Sequence, residues 1–169
     1  MAYTQYSSGC STLELETRAG VTGDGTEVIL NYNNIQYNPL SEYDGSTGRF
    51  TPSVLTGYAD TKYLIQIQLY LRGMLITNTT MILKIVYDGG GGASDLAVLN
   101  SLDVFACSQP GGGFGREFGL TSSVILDLSP GVPYWIVLSV LGNPTPNIDI
   151  VGNGGSIPIY NSFSFTRIL

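Results

Sequence analysis

No general base or triad built on imidazole can operate in this 169-residue chain, because it contains no histidine. Glu14 and Glu16 offer a carboxylate pair of the kind that cleaves glycosides, but they lie two apart in an alternating segment and read as a solvated strand face. Ser129 and Ser139 have no base beside them in any visible pattern, and Lys62 and Lys84 are the only lysines. Cys10 and Cys107 are too few for a zinc site of the usual kind. Whether they pair or remain two buried thiols is open. Asp88, Asp95 and Asp103 are the carboxylates available to a calcium ion with loop carbonyls, yet no dense acidic loop gathers them. The run Gly111-Gly112-Gly113-Phe114-Gly115 lacks a following Lys-Ser/Thr and a helix, so it reads as a loop and not a phosphate cradle. Asn78-Thr79-Thr80 fits the glycosylation acceptor pattern; an unmodified loop is the expected state. No cofactor, metal or catalytic residue is expected.

The elements that hold these residues repeat with a period of two. In Ser11–Thr17, Leu13 and Leu15 fall on one face and Glu14 and Glu16 on the other, the pattern of a half-exposed strand. Gly23-Asp24-Gly25 reads as a turn before a second strand, Glu27–Tyr32. Tyr63–Arg72 alternates most clearly: Tyr63, Ile65, Ile67, Leu69 and Leu71 share one face, and Leu64, Gln66, Gln68, Tyr70 and Arg72 the other. Strands follow at Thr80–Tyr87, Leu120–Leu128, Pro133–Leu141 and Asn161–Leu169, with loops at Gly89–Gly92, Asn143–Pro146 and Gly152–Gly155. Asp95–Cys107 has some helical spacing, but Val98, Leu102, Val104 and Phe105 suit a strand better. Eight to ten short strands separated by turn residues predict an all-β sandwich or barrel in a single domain spanning 1–169.

Composition narrows the function. Charged residues make up only 12% of the chain, with thirteen acids against seven bases and a net charge of -6. Arg18 is the only basic residue among the first nineteen, so no basic arm for packaging nucleic acid is present. The opening segment is too polar for a secretory signal, and no run approaches the ~20 apolar residues of a membrane helix. Synthesis in a cytosol without a membrane span is expected.

Several motifs then fall in a recognisable order. Asn31, the run Tyr43-Asp44-Gly45-Ser46-Thr47-Gly48-Arg49-Phe50-Thr51-Pro52, and Gly57-Tyr58 resemble the motifs of C1q-like domains. Leu126-Asp127-Leu128-Ser129-Pro130-Gly131 resembles that family's leucine-x-leucine and glycine turn, and Asn161–Leu169 resembles its closing strand. The match spans roughly Thr26 to Leu169, leaving 1–25 as an amino-terminal strand and turn. The chain departs from the pattern at Gly57-Tyr58-Ala59-Asp60 and at Thr166-Arg167, and it has no collagen-like repeat. The resemblance implies a ten-stranded jelly roll of the C1q and tumour necrosis factor type that assembles as a homotrimer. Within the motif, Gly48 suits a positive φ, Phe50 a buried ring and Asp44 a turn cap; contact with a metal or partner is the alternative for Asp44 and Arg49.

Aromatic residues exceed what one thin sandwich is expected to bury. Tyr134 and Trp135 are neighbours on a strand and must point to opposite faces, so one of them leaves the main core. Tyr58, Tyr70, Tyr134, Tyr160, Phe163 and Phe165 are the candidates for lining a trimer interface. Two functions follow. The first is a non-enzymatic structural or surface component of an assembled particle, such as a virion capsid or fibre or a spore-like coat, meeting copies of itself and other particle proteins but no nucleic acid. The second is a free extracellular recognition head that binds a protein or glycan. The amino- and carboxy-terminal strands are expected to lie side by side.

Overall fold

Tyr63, Ile65, Ile67, Leu69 and Leu71 are all buried, whereas Gln66 and Gln68 between them are exposed and Leu64 and Tyr70 half-buried. A strand directs successive side chains to opposite faces, so this alternation both makes the segment a strand and aims it at a core. The computed structural model describes residues 18–32, 35, 37–54, 62–73, 79–104, 116–142, 147–150 and 161–168. They form eleven strands and no helix: β1 (Arg18–Thr22), β2 (Asp24–Ile29), β3 (Tyr43–Asp44), β4 (Arg49–Phe50), β5 (Lys62–Gly73), β6 (Thr79–Asp88), β7 (Ala93–Val104), β8 (Arg116–Asp127), β9 (Tyr134–Gly142), β10 (Asn147–Ile150) and β11 (Ser162–Arg167). The Asp95–Cys107 segment is thus strand as far as Val104. The expected strand Ser11–Thr17 and both cysteines lie outside the described residues.

The strands make two antiparallel sheets. A strand has only two edges, and β8 takes one edge of β5 along its whole length, from Lys62↔Asp127 to Gly73↔Arg116. β10 and β11 therefore share the other edge end to end, β10 against Leu71–Gly73 and β11 against Tyr63–Gln68. β1 extends this sheet beyond β10. The second sheet repeats the device. β6 accompanies β9 on one side, β2 and β4 divide the other side, and β3 and β7 are outermost. The first and last described strands, β1 and β11, belong to one sheet without pairing. β10 stands between β1 and the rest of the sheet; the amino-terminal strand expected to lie beside the closing strand, Ser11–Thr17, falls outside the described residues.

The sheets close on a core in which β5, β6, β9 and β11 each present alternate residues: the five from β5, Met81, Leu83 and Ile85, then Ile136, Leu138 and Val140, and Phe163 with Phe165. Each fully buried large side chain contributes roughly 1.5–3 kcal/mol relative to exposure. Aromatic rings dominate one end, with Phe50 and Phe165 centroids 3.6 Å apart and Phe163 5.4 Å from Phe165. At the β7–β8 edge the sandwich is fastened differently. Opposite β6, Leu83 pairs with Asn100 and Lys84 with Val98, so Leu99 is an extra, bulged residue; Leu96 is another. The Leu99 carbonyl accepts a 2.7 Å hydrogen bond from the Ser122 hydroxyl of β8. The bulges also make β7 a poor template for a further strand.

The Tyr43–Pro52 motif is a turn built around one carboxylate. Asp44 Oδ1 accepts from the Ser46 amide (2.8 Å) and hydroxyl (2.6 Å), and its Oδ2 from the Thr47 hydroxyl (2.8 Å). Gly48 has φ +71°, and a Cβ there would lie 3.2 Å from the Asn31 Cα and 3.2 Å from the Leu30 carbonyl oxygen. Asn31 closes the unit by donating to the Ser46 carbonyl at 3.1 Å. The hydroxyl of Ser46, followed by that of Thr47 and the Ser46 amide, holds the Asp44 carboxyl below its ordinary value of 3.8. A depressed folded value means that the turn's share of stability is present above the unfolded pKa and is lost as pH falls through the folded one. Carbon-detected NMR titration of Asp44 is expected to place its midpoint below that of a model peptide; a midpoint at or above it would remove the turn assignment.

Candidate subunit-contact face

The outer face of the β11–β5–β8 sheet carries aligned polar rows. Register places Ser164 opposite Gln66 and Gln66 opposite Ser123; the next row is Ser162, Gln68 and Thr121. Toward one end the row is Thr166, Leu64 and Ile125, with Ile125 58% exposed, and toward the other Tyr70 stands opposite Gly119. A depression of about 410 Å³ lies over the central rows, lined by Gln66, Gln68, Thr121, Ser122, Ser123, Ser162 and Ser164 with Ile67 beneath. Each amide or hydroxyl group on this face can both donate and accept hydrogen bonds.

The outer face of the other sheet has a different character. The Lys84 ammonium bridges Glu27 of β2 and, at 2.7 Å, Asp95 of β7, tying strands across the sheet. The hydrogen bonds that the ammonium donates to Asp95 and then to Glu27 push the Lys84 pKa up. The Arg49 guanidinium lies over the Trp135 ring, 5.1 Å from its centroid. Trp135 does leave the main core, as its position beside Tyr134 requires. It enters a small second cluster with Val86 and Val137 and is only 8% exposed, so it meets neither open solvent nor a bare contact surface. Asp88 caps the β6–β7 turn by accepting from the Gly90 amide at 2.8 Å. Among the described residues no three His, Cys, Asp or Glu side chains converge to hold a metal.

The six aromatic candidates are distributed unlike the expectation. Phe163, Phe165 and Tyr134 are turned into the chain's own core, at 4%, 0% and 5% exposure, and offer no ring surface to a neighbour. The inward parity of β11 and β9 is the reason, since the rings fill the space between the sheets. Tyr70 is half-buried on the outer face, its amide donating to the Asn161 side chain. Tyr58 and Tyr160 lie outside the described residues. The Gln, Ser and Thr rows were not among the candidates. Their alternation was visible strand by strand, but only the pairing of β5 with β8 and β11 brings them into one surface.

A second cluster escaped the sequence altogether. Arg167 continues the inward row Phe163, Phe165 and is 2% exposed. It pairs with Glu42 at 2.9 Å, donates to the Ser53 carbonyl at 2.8 Å and, through Nε, to the Tyr63 hydroxyl at 2.7 Å. Glu42 Oε1 also accepts from the Ser53 amide (2.7 Å) and hydroxyl (2.6 Å), while its Oε2 is buried without a partner. Burial pushes the Tyr63 phenol up to about 12 against the opposing pull of Arg167. The cluster locks β11 to the segment after β4 and is closed to any ligand.

No family model matches the sequence, and no curated protein matches it. Solved structures do. The chain is similar to the globular domain of zebrafish complement 1qA protein, with 14% identity, a TM-score of 0.52 and coverage of 95% of this chain and 97% of that one. It is similar to murine APRIL at 12% identity and a TM-score of 0.57, covering 96% and 99%. The Eiger TNF structure from S. frugiperda matches at 11% and 0.52, covering 90% and 94%. At these identities the likeness concerns the fold, which is a jelly roll of the C1q and tumour necrosis factor type.

Proposed function

We propose that this C1q- and TNF-like jelly roll is a non-enzymatic homotrimeric building block, serving as a structural or surface component of an assembled particle of the virion or spore-coat kind. The observation that carries the reading is the uncharged outer face of the β11–β5–β8 sheet. A free surface of that extent normally carries charge, whereas subunit contacts are depleted in it. The low overall charge points the same way, and seven basic residues in 169 leave nothing to neutralise a genome. Polar side chains elsewhere are committed to structure: Asp44 and Asp88 to turns, Lys84 to a bridge, Arg167 to the interior. The expected result of light scattering on the native protein is three times the 18.1 kDa chain mass. A single-chain mass up to millimolar concentration would overturn the trimer, and with it the particle role.

A further inference from the structure

We infer that the β6–β7 turn is a self-modifying site, at which the Asp88 carboxyl closes onto the Gly89 amide nitrogen and leaves an isoaspartyl linkage in the folded chain. The chain has three Asp-Gly steps, Asp24-Gly25, Asp44-Gly45 and Asp88-Gly89, and in each the glycine presents an uncrowded amide. At Asp88 two backbone amides point at the same carboxyl oxygen: Oδ1 accepts from Gly90 at 2.8 Å and from Gly92 at 3.3 Å. Gly90 and Gly92 hold φ +94° and +101°, which glycine adopts without strain. The bond from Gly90 folds the carboxyl back over the Gly89 peptide, as in any Asx turn. Gly89 itself lies beyond the last ladder pair, Asp88↔Ala93, at the start of an exposed run of glycines.

The chemistry balances within the turn. The Gly89 nitrogen attacks Asp88 Cγ, and the N–Cγ bond forms as the Cγ–Oδ2 bond breaks. Oδ2 departs as water, carrying the carboxyl proton and the proton lost by the amide. Negative charge that gathers on Oδ1 during the attack meets the Gly90 and Gly92 amides, the arrangement of an oxyanion hole. Water then opens the cyclic imide. Attack at Cγ restores aspartate; attack at the Asp88 main-chain carbonyl breaks that carbon's bond to nitrogen and leaves the backbone running through Cγ. The other two steps are held off this course. Asp44 is gripped through both oxygens, Oδ1 by Ser46 and Oδ2, the leaving oxygen, by Thr47. Gly45 is packed so closely that a Cβ there would lie 3.1 Å from Ile35. Asp24 sits in the β2–β9 ladder opposite Leu141, with the Thr26 amide on its Oδ1 at 2.9 Å.

Incubating the native chain in water enriched in heavy oxygen tests the inference, because each opening of the imide fixes one solvent oxygen in the carboxyl. Fragmentation mass spectrometry then assigns the label residue by residue. In the folded chain Asp88 should take up label about tenfold or more faster than Asp44 or Asp24, the ratio set by one or two further hydrogen bonds to break. In urea Asp88 should lose that lead. Gly89→Val crowds the attacking nitrogen, with Gly89→Ala as the smaller step and circular dichroism to check both. The site accepts a side chain, since a Cβ on Gly89 would meet only Tyr87 ring carbons, at 3.6 and 4.0 Å. Gly89→Val should slow labelling of Asp88 about tenfold or more while Asp24 and Asp44 label as in the native chain. Labelling at Asp88 that is no faster than at Asp44 and Asp24 in the folded chain, or slower there than in urea, would mean that the cap protects the carboxyl, and overturns the inference. Undiminished labelling of Asp88 in the folded variants overturns it too, because the oxygen would then enter without ring closure.

Discussion

Replacing Arg167 with leucine should destabilise the folded chain by about 3–5 kcal/mol, the range seen when one member of a buried ion pair is removed. The cause is what remains. Glu42 is as buried as its partner, with side-chain exposures of 1% and 2%, and without the guanidinium its charge keeps only hydrogen bonds from Ser53 and Tyr63. Oε2 already lacks a partner. The double variant Glu42→Leu with Arg167→Met removes both charges and should recover most of the loss, since apolar replacements of buried pairs are often neutral. Urea unfolding of the native, single and double variants measures this directly. A single variant within about 1 kcal/mol of native would mean that Glu42 finds water on losing its partner and is not sealed in.

A comparable loss is expected at Phe165. Its ring is fully buried and stands within aromatic range of Phe50, Tyr63, Tyr43 and Phe163. Phe165→Ala should cost about 3–5 kcal/mol, combining lost burial with a cavity that fixed neighbouring rings cannot close. Phe163→Asp is the sharper experiment, because at an interface it would yield a folded monomer and in a core a molten chain. The structure places Phe163 against Tyr32 and Tyr43, so loss of near-ultraviolet circular dichroism is the expected outcome. A well-folded monomer would return the residue to the interface.

Both residues show where sequence reasoning stopped. The parity of β11 was legible: Phe163 and Phe165 do share a face, and β5 follows its alternation residue by residue. Parity says which side chains travel together and leaves open which face is the core, because an interior and an interface are both apolar. Arg167 falls on the same parity, and a charge there signals either a break in the strand or a buried partner. That partner, Glu42, lies 125 residues away in sequence, beyond any local pattern. The Asp44–Gly48 turn was legible because all its bonds are short-range. β10 was not: its four residues carry too little period to register, and it is held by pairing with β1 and β5.

The position of β5 in the sheet has a consequence for synthesis. Every strand that pairs with it, β8, β10 and β11, comes later in the chain. At typical elongation rates of about 5–20 residues per second, its apolar row waits seconds for its first partner. The stretch Tyr63–Leu71 contains no charge, proline or glycine, the composition of a segment prone to stack with copies of itself on crowded ribosomes. Lys62 and Arg72 flank it at either end, and flanking charges of this kind act as gatekeepers against such stacking. The glutamines that leave the finished surface free of charge thus leave the nascent strand guarded only at its two ends.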